Sequence, residues 1–147
     1  MVSSVAELRE KYPELTDEHV EELHAVFQRA RVAQKEIETF DQEKVDRLIR
    51  AVAWSVANKQ TFKKLVDFSV QETGFGDPVT RMNKRFKIRG ILRDALRQKS
   101  VGLIEEIPEK GIKKYAKPVG VIVSLIPTTN PELTPVGNAI YGIKARD

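Results

Sequence analysis

The chain has 147 residues, 41% of them hydrophobic and 31% charged, a balance typical of a folded protein that excludes a disordered one. That length allows one domain with its own hydrophobic core, or one part of a larger domain. The formal net charge is +4 and cysteine is absent, which excludes disulfides, thiolate metal ligands and a thiol nucleophile within these residues.

The sequence has neither a membrane-span pattern nor a secretory signal. No run of about 18 apolar residues occurs, and residues 1–10 lack the basic and then apolar pattern of a signal peptide. We therefore expect a cytoplasmic protein. The two histidines, His19 and His24, do not share a helical face, so we predict no metal site.

The first part of the chain has the apolar spacing of amphipathic helices. One helix is predicted at about residues 17–38, directly after Thr16, and its apolar stripe contains Leu23, Val26, Phe27, Ala30 and Ile37. Asp41 is predicted to cap a second helix. The apolar stripe of that helix contains Val45, Leu48, Ile49, Val52, Ala53 and Val56, with Trp54 beside it.

Two further helices are predicted before residue 100. A third helix carries Phe62, Leu65, Val66 and Ser69. It should end in the motif Glu72-Thr73-Gly74-Phe75-Gly76-Asp77, because two glycines followed by Pro78 break a helix. Asp77 is then predicted to cap a fourth helix that begins at Pro78.

After Lys99 the pattern changes from helical to extended. Residues 100–107 and 112–116 flank the turn Pro108-Glu109-Lys110-Gly111, which predicts a hairpin of two short strands. Residues 119–126 are almost entirely apolar and β-branched, a composition typical of a buried parallel strand. A polar loop follows, and Thr134 and Pro135 are predicted to open a helix that carries Val136, Ile140 and Ile143.

Basic residues crowd residues 81–99, where the single acid is Asp94. They are Arg81, Lys84, Arg85, Lys87, Arg89, Arg93, Arg97 and Lys99. Such a run is compatible with a nucleic-acid-binding module. We favour a solvated helix face, or one that pairs with acids outside this chain, since only Phe86 adds an aromatic surface for base stacking. Steep weakening of binding with salt would identify the nucleic-acid alternative.

Two motifs in the last part of the chain resemble the first strand and cofactor loop of CoA-acylating aldehyde dehydrogenases. They are Lys117-Pro118-Val119-Gly120-Val121-Ile122 and Ile126-Pro127-Thr128-Thr129-Asn130-Pro131. The motif at residues 72–76, Lys84 and Lys87, and Ser100-Val101-Gly102 look similar to the same family. The resemblance covers residues 25–147, and residues 90–94 and 100–102 look closest to its sulfoacetaldehyde-type branch.

The resemblance implies an NAD- or NADP-dependent oxidation of a small aldehyde, in which coenzyme A takes the acyl group from a thioester on the family's cysteine. Asn130 would be the catalytic oxyanion donor. The nicotinamide side of the cofactor would be lined by Ile126, Pro127, Thr128 and Thr129. A homo-oligomer is implied for the full-length enzyme. From the residues alone, Asn130 before Pro131 is a turn signal, and that alternative stays open.

The fold implied is α/β: helices over residues 1–99, a hairpin over 100–117, and over 118–147 the first strand, loop and helix of a Rossmann-like cofactor domain. The chain lacks the family's cysteine, its later glycine-rich loop and the segment for the adenosine ribose. We therefore expect a truncated N-terminal fragment that is inactive alone. Packing points the same way, because a strand buried on both faces needs parallel neighbours. A fragment that pairs with a full-length homologue is a third interpretation.

Overall fold

The computed structural model describes residues 4–147, which form seven α-helices and one hairpin. The helices are α1 (Val5–Lys11), α2 (Asp17–Ile37), α3 (Gln42–Ala57), α4 (Lys59–Thr73), α5 (Pro78–Met82), α6 (Arg85–Leu96) and α7 (Thr134–Ala145). The hairpin consists of β1 (Leu103–Ile107) and β2 (Ile112–Tyr115). The fold is therefore mostly helical.

Side-chain caps set the starts of the helices where the sequence predicted them. Asp41 accepts a hydrogen bond from the backbone N–H of Lys44 at 2.8 Å, and Asp77 accepts one from Thr80 at 2.8 Å. Such caps satisfy backbone donors that have no partner inside the helix. At the other end of α4, Gly74 adopts φ 67°, the left-handed conformation that ends many helices.

The core lies where α3, α6 and α7 pack against one another, and α4 adds Phe62 to it. Its fully buried side chains include Ile49, Ile88 and Ile140, so the apolar stripes predicted for α3 and α7 are confirmed. The stripe of α2 behaves differently. Helix α2 forms, but Leu23, Val26 and Phe27 are exposed, because no element among residues 4–147 covers that half of the helix.

The predicted fourth helix is divided in two. Between α5 and α6, Asn83 and Lys84 form a tight turn in which each N–H bonds three residues back, to Thr80 and Arg81. The hydrogen-bonding pattern of the α-helix is interrupted there. The predicted hairpin is present, antiparallel, with Ile107 opposite Ile112 and a bulge between Leu103 and Glu105.

Residues 119–126, the apolar segment, do not form the strand that the sequence predicted. The segment makes no ladder with any other part of residues 4–147 and is largely exposed, with Val119 at 85%, Val123 at 82% and Leu125 at 90%. A β-strand needs a neighbouring strand for its backbone hydrogen bonds, and the sheet of the described residues consists of β1 and β2. The α/β expectation is therefore met only in its helices and hairpin.

The C-terminal end of α7 is tied to the rest of the fold by buried basic side chains. Lys144 forms an ion pair with Asp46 of α3, and Arg146 donates to the carbonyl of Glu38 at 2.8 Å. Asp147 accepts from the N–H of Val119 at 2.6 Å. These contacts hold the start of the apolar segment beside the end of α7. No helix in the described range is long and apolar enough to cross a membrane.

Candidate active-site loop

The loop that joins the apolar segment to α7, residues 127–133, is called the asparagine loop here. Its backbone turns at Asn130: the Asn130 N–H donates to the carbonyl of Pro127 at 3.1 Å, and the Thr134 N–H donates to the carbonyl of Asn130 at 3.2 Å. Asn130 thus closes one turn and leads into the next. This is the local geometry that an Asn-Pro pair favours.

The side chain of Asn130 is half-buried and held from two sides. Its Oδ1 accepts a hydrogen bond from Lys84 Nζ at 2.8 Å, and its Nδ2 donates to Thr134 Oγ1 at 3.2 Å. A carboxamide has two N–H donors. One of them is taken by Thr134, so the other is available to a further acceptor.

Behind Asn130 lies a buried ion cluster formed by Arg81, Lys84 and Glu132. Arg81 Nη1 lies 2.7 Å from Glu132 Oε2, and Lys84 Nζ lies 2.9 Å from Glu132 Oε1. The side chains are 6% exposed for Arg81, 24% for Lys84 and 0% for Glu132. Lys84 Nζ is close enough to Glu132 Oε1 for an ion pair, but the angle between them is outside the range of a hydrogen bond. The cluster joins the α5–α6 region to the asparagine loop.

Glu132 is held in its ionised form by this cluster. Burial works to raise the pKa of its carboxyl group, but the contact with the Lys84 ammonium and the charge of Arg81 outweigh it. The pKa of Glu132 therefore lies below its usual value. A buried carboxylate of this kind is stable only while both cationic partners remain in place.

Gly76 makes room for the guanidinium of Arg81. Its φ is 81°, and a Cβ atom at this position would lie 2.4 Å from Arg81 Nε. Gly74, two residues earlier, has no heavy atom within 4 Å of such a Cβ, so its glycine serves the backbone conformation alone. The two glycines of the motif thus have different functions: one ends α4 and the other admits Arg81.

The remaining predicted site residues lie together on the surface, before Asn130. Ile126 lines a groove of about 350 Å³ between α2, α7 and the apolar segment. Pro127, Thr128 and Thr129 are exposed, and the Thr129 carbonyl lies 3.5 Å from Arg81 Nη2. The structure therefore places the residues predicted for the cofactor next to Asn130, in an exposed stretch that spans the end of the apolar segment and the start of the asparagine loop.

The basic run of residues 81–99 is divided by the fold. Arg81 and Lys84 turn inward to Glu132. For these two residues the acidic partner therefore lies within this chain, whereas the sequence analysis considered acids outside it. Lys87, Arg89, Arg93, Arg97 and Lys99 remain exposed. A nucleic-acid interface along the whole run would require two residues that are already used in the interior.

Comparison with known proteins identifies the relatives of the chain. No protein-family model matches it. It is 44% identical over 122 residues to a sulfoacetaldehyde dehydrogenase of Acholeplasma sp, a match that covers 82% of this chain and 25% of that protein. It is 41% identical over 119 residues to an acylating sulfoacetaldehyde dehydrogenase of Bilophila wadsworthia strain 3_1_6, with 80% and 26% covered.

A solved structure has the same fold over this region. The crystal structure of a probable aldehyde dehydrogenase from Listeria monocytogenes EGD-e superposes with a TM-score of 0.79 at 30% identity, covering 86% of this chain and 28% of that one. The chain is homologous to the N-terminal quarter of acylating aldehyde dehydrogenases. It spans about a quarter of the length of the curated relatives it matches.

The homology to acylating aldehyde dehydrogenases confirms the family resemblance found in the sequence, but sequence reasoning missed the buried ion cluster. The sequence places Lys84 in the basic run and among the family motifs without indicating a partner, and nothing in it singles out Glu132 as a site residue. One signal was present: Glu132 is the single acid within residues 117–146, in a segment whose other charged residues are all basic. A charged side chain is almost never fully buried unless it is paired, so burial of Glu132 requires a cation from another part of the chain.

Proposed function

We propose that this chain forms the N-terminal, cofactor-side part of an NAD- or NADP-dependent acylating aldehyde dehydrogenase. The full enzyme would oxidise an aldehyde to an acyl-CoA, with sulfoacetaldehyde as the favoured substrate. Support comes from the sulfoacetaldehyde dehydrogenases of Acholeplasma and Bilophila, which match over four fifths of this chain. In this proposal residues 1–99 form the helical part, 100–117 the hairpin, and 118–147 the first strand, loop and helix of the cofactor domain.

The observation that carries the proposal is the free N–H of the Asn130 carboxamide. Attack of a nucleophile on an aldehyde carbonyl creates a tetrahedral oxyanion. A donor that is already fixed in place stabilises that charge without reorganising, an effect on the order of 3 kcal/mol in such sites. Asn130 is anchored through Oδ1 and through one N–H, which leaves the other N–H for the substrate oxygen.

The residues before Asn130 suit a nicotinamide cofactor. Pro127, Thr128 and Thr129 are exposed residues without bulky side chains, which leaves room beside them for a flat ring, and Ile126 adds an apolar surface. When bound, NAD or NADP would supply the hydride acceptor. The function of these four residues is to position the nicotinamide ring next to the aldehyde carbon, whose oxyanion Asn130 stabilises.

The nucleophile has to come from residues outside this chain, because none of the 147 residues is a cysteine. We propose that the segments which provide it also pair with the apolar segment as parallel strands, in a homo-oligomeric enzyme. This chain alone should form no NADH from sulfoacetaldehyde, NAD and coenzyme A.

A graft tests the proposal. Residues 25–147 replace the matching segment of the Acholeplasma enzyme, and NADH formation is followed with sulfoacetaldehyde, NAD and coenzyme A. The graft should be active. In it, Asn130→Ala should lower kcat by roughly a hundredfold and leave the Michaelis constants nearly unchanged, because the lost interaction exists only in the transition state.

The matched control is Gln60→Ala, which removes an exposed side-chain amide of α4, away from the asparagine loop. It should retain the turnover of the graft. If Asn130 only shapes the turn before Pro131, its replacement would instead cost about 1 kcal/mol of folding free energy and leave kcat intact. That result, or an inactive graft, would contradict the proposed function.

A further inference from the structure

We propose that Lys84 is a positioning residue, which sets the orientation and the donor strength of the Asn130 carboxamide through the buried ion cluster. The inference rests on the proposed function of Asn130. It adds a second, remote residue to that site, one that never touches the substrate.

The orientation of the Asn130 carboxamide depends on what each of its partners is able to donate. The ammonium of Lys84 is a donor only, so at 2.8 Å it requires the carbonyl oxygen of the carboxamide to face it. The hydroxyl of Thr134 both donates and accepts, and so tolerates either end of the amide. Without Lys84 the carboxamide is free to rotate by half a turn. Its oxygen would then face the position of the oxyanion and repel it.

Lys84 is itself held by the rest of the cluster. Its Nζ lies between Asn130 Oδ1 at 2.8 Å and Glu132 Oε1 at 2.9 Å. Glu132 is anchored on its other oxygen by Arg81 at 2.7 Å. A lysine side chain on the surface samples many rotamers, whereas this one is mostly buried and has two fixed partners. Arg81 and Glu132 thus convert a flexible cation into a fixed one.

The same contact strengthens the donor. A positive charge hydrogen-bonded to a carboxamide oxygen draws electron density away from its nitrogen, and the N–H protons become more positive. The site is partly buried, so water screens this effect less than it would on the surface. Lys84 therefore improves the oxyanion donor electrostatically while fixing its direction.

A double-mutant cycle in the graft described above tests this function. Lys84→Met should lower kcat by about tenfold with Michaelis constants nearly unchanged, a smaller loss than that from deleting the donor itself. In the Asn130→Ala background the same change should cause no further loss, because Lys84 acts through that side chain. Lys87→Met, an exposed lysine one turn away in α6, is the control and should match the graft.

Loss of the ammonium also removes one partner of Glu132, so Lys84→Arg provides a second variant that keeps the charge and the donors. It should recover most of the turnover that Lys84→Met loses. Equal losses from Lys84→Met in both backgrounds, full turnover in Lys84→Met, or no recovery in Lys84→Arg would each overturn the inference. Normal turnover in Asn130→Ala would instead refute the proposed function, so the two failures are distinguishable.

Discussion

Among single residues, Glu132 depends most strongly on its partners, since its side chain is fully buried between two cations. Its pKa is lowered in the folded chain, so the ionised form stabilises the fold. That contribution is present above the unfolded pKa, about 4.3 for glutamate, and is lost as the pH falls through the folded pKa. Acid should therefore weaken the attachment of the asparagine loop to α5.

Glu132→Gln tests this residue. At neutral pH it should cost roughly 3 kcal/mol of unfolding free energy, because it leaves a buried arginine without its counterion. The difference between the two proteins should shrink below about pH 4, as Glu132 itself becomes protonated. Urea unfolding followed by circular dichroism across the acid range measures both effects.

The control for Glu132 is Glu106→Gln, in a surface pair with Lys113 on the hairpin, which should cost less than about 1 kcal/mol. Asp77 also has a lowered pKa, chiefly because of the hydrogen bond from the Thr80 backbone, but it is present in all three proteins and cancels in the comparison. A difference between wild type and Glu132→Gln that stays constant down to pH 3 would show that Glu132 is not the titrating group.

At the scale of elements, the glycines of α4 and α6 should respond in opposite directions to the same change. Gly74 ends α4 at φ 67°, where an alanine is strained although no atom lies within 4 Å of the added carbon. Gly74→Ala should destabilise the chain by about 1 kcal/mol. Gly90 lies inside α6, also with open space, so Gly90→Ala should stabilise it by roughly 0.5 to 1 kcal/mol.

Equilibrium unfolding of the two alanine variants measures this pair, and each serves as the control for the other. Both substitutions add one methyl group to an uncrowded position. If the two changes in unfolding free energy had the same sign, packing and not backbone conformation would decide the effect. The helix boundaries would then depend more on tertiary contacts than on the local backbone conformation at the helix ends.

At the scale of the whole molecule, the apolar segment leaves Val119, Val123 and Leu125 more than four fifths exposed, next to the candidate site. Exposed apolar patches drive association in solution. We expect the isolated chain to self-associate, with an average mass in sedimentation that rises with protein concentration. Changing both Val123 and Leu125 to Asp should keep it monomeric.

The control for self-association is Val79→Asp, which removes an exposed valine of α5 away from the apolar segment and should associate like the wild type. A wild-type chain that remains monomeric at every concentration would contradict the expectation. It would show that the apolar segment is tolerated in water, as scattered apolar residues are.

The sequence by itself determined most helix starts, the end of α4, the hairpin turn and the family. Caps at Asp41 and Asp77, the glycine at the end of α4, and the turn at residues 108–111 depend on neighbours a few positions away, and each was found where it was predicted. The motifs that resemble acylating aldehyde dehydrogenases are also contiguous stretches, so they can be recognised in the sequence without any knowledge of the fold.

Only the tertiary structure decided which distant residues meet. Arg81 and Glu132 are separated by 51 positions and Lys84 and Asn130 by 46, and nothing in the spacing of charges predicts such pairs. The structure of the apolar segment also depends on distant residues. Its composition favours a strand, yet a strand exists only where another strand pairs with it through hydrogen bonds. Local conformation follows from short-range sterics and capping, whereas pairing depends on which surfaces the folded chain brings together.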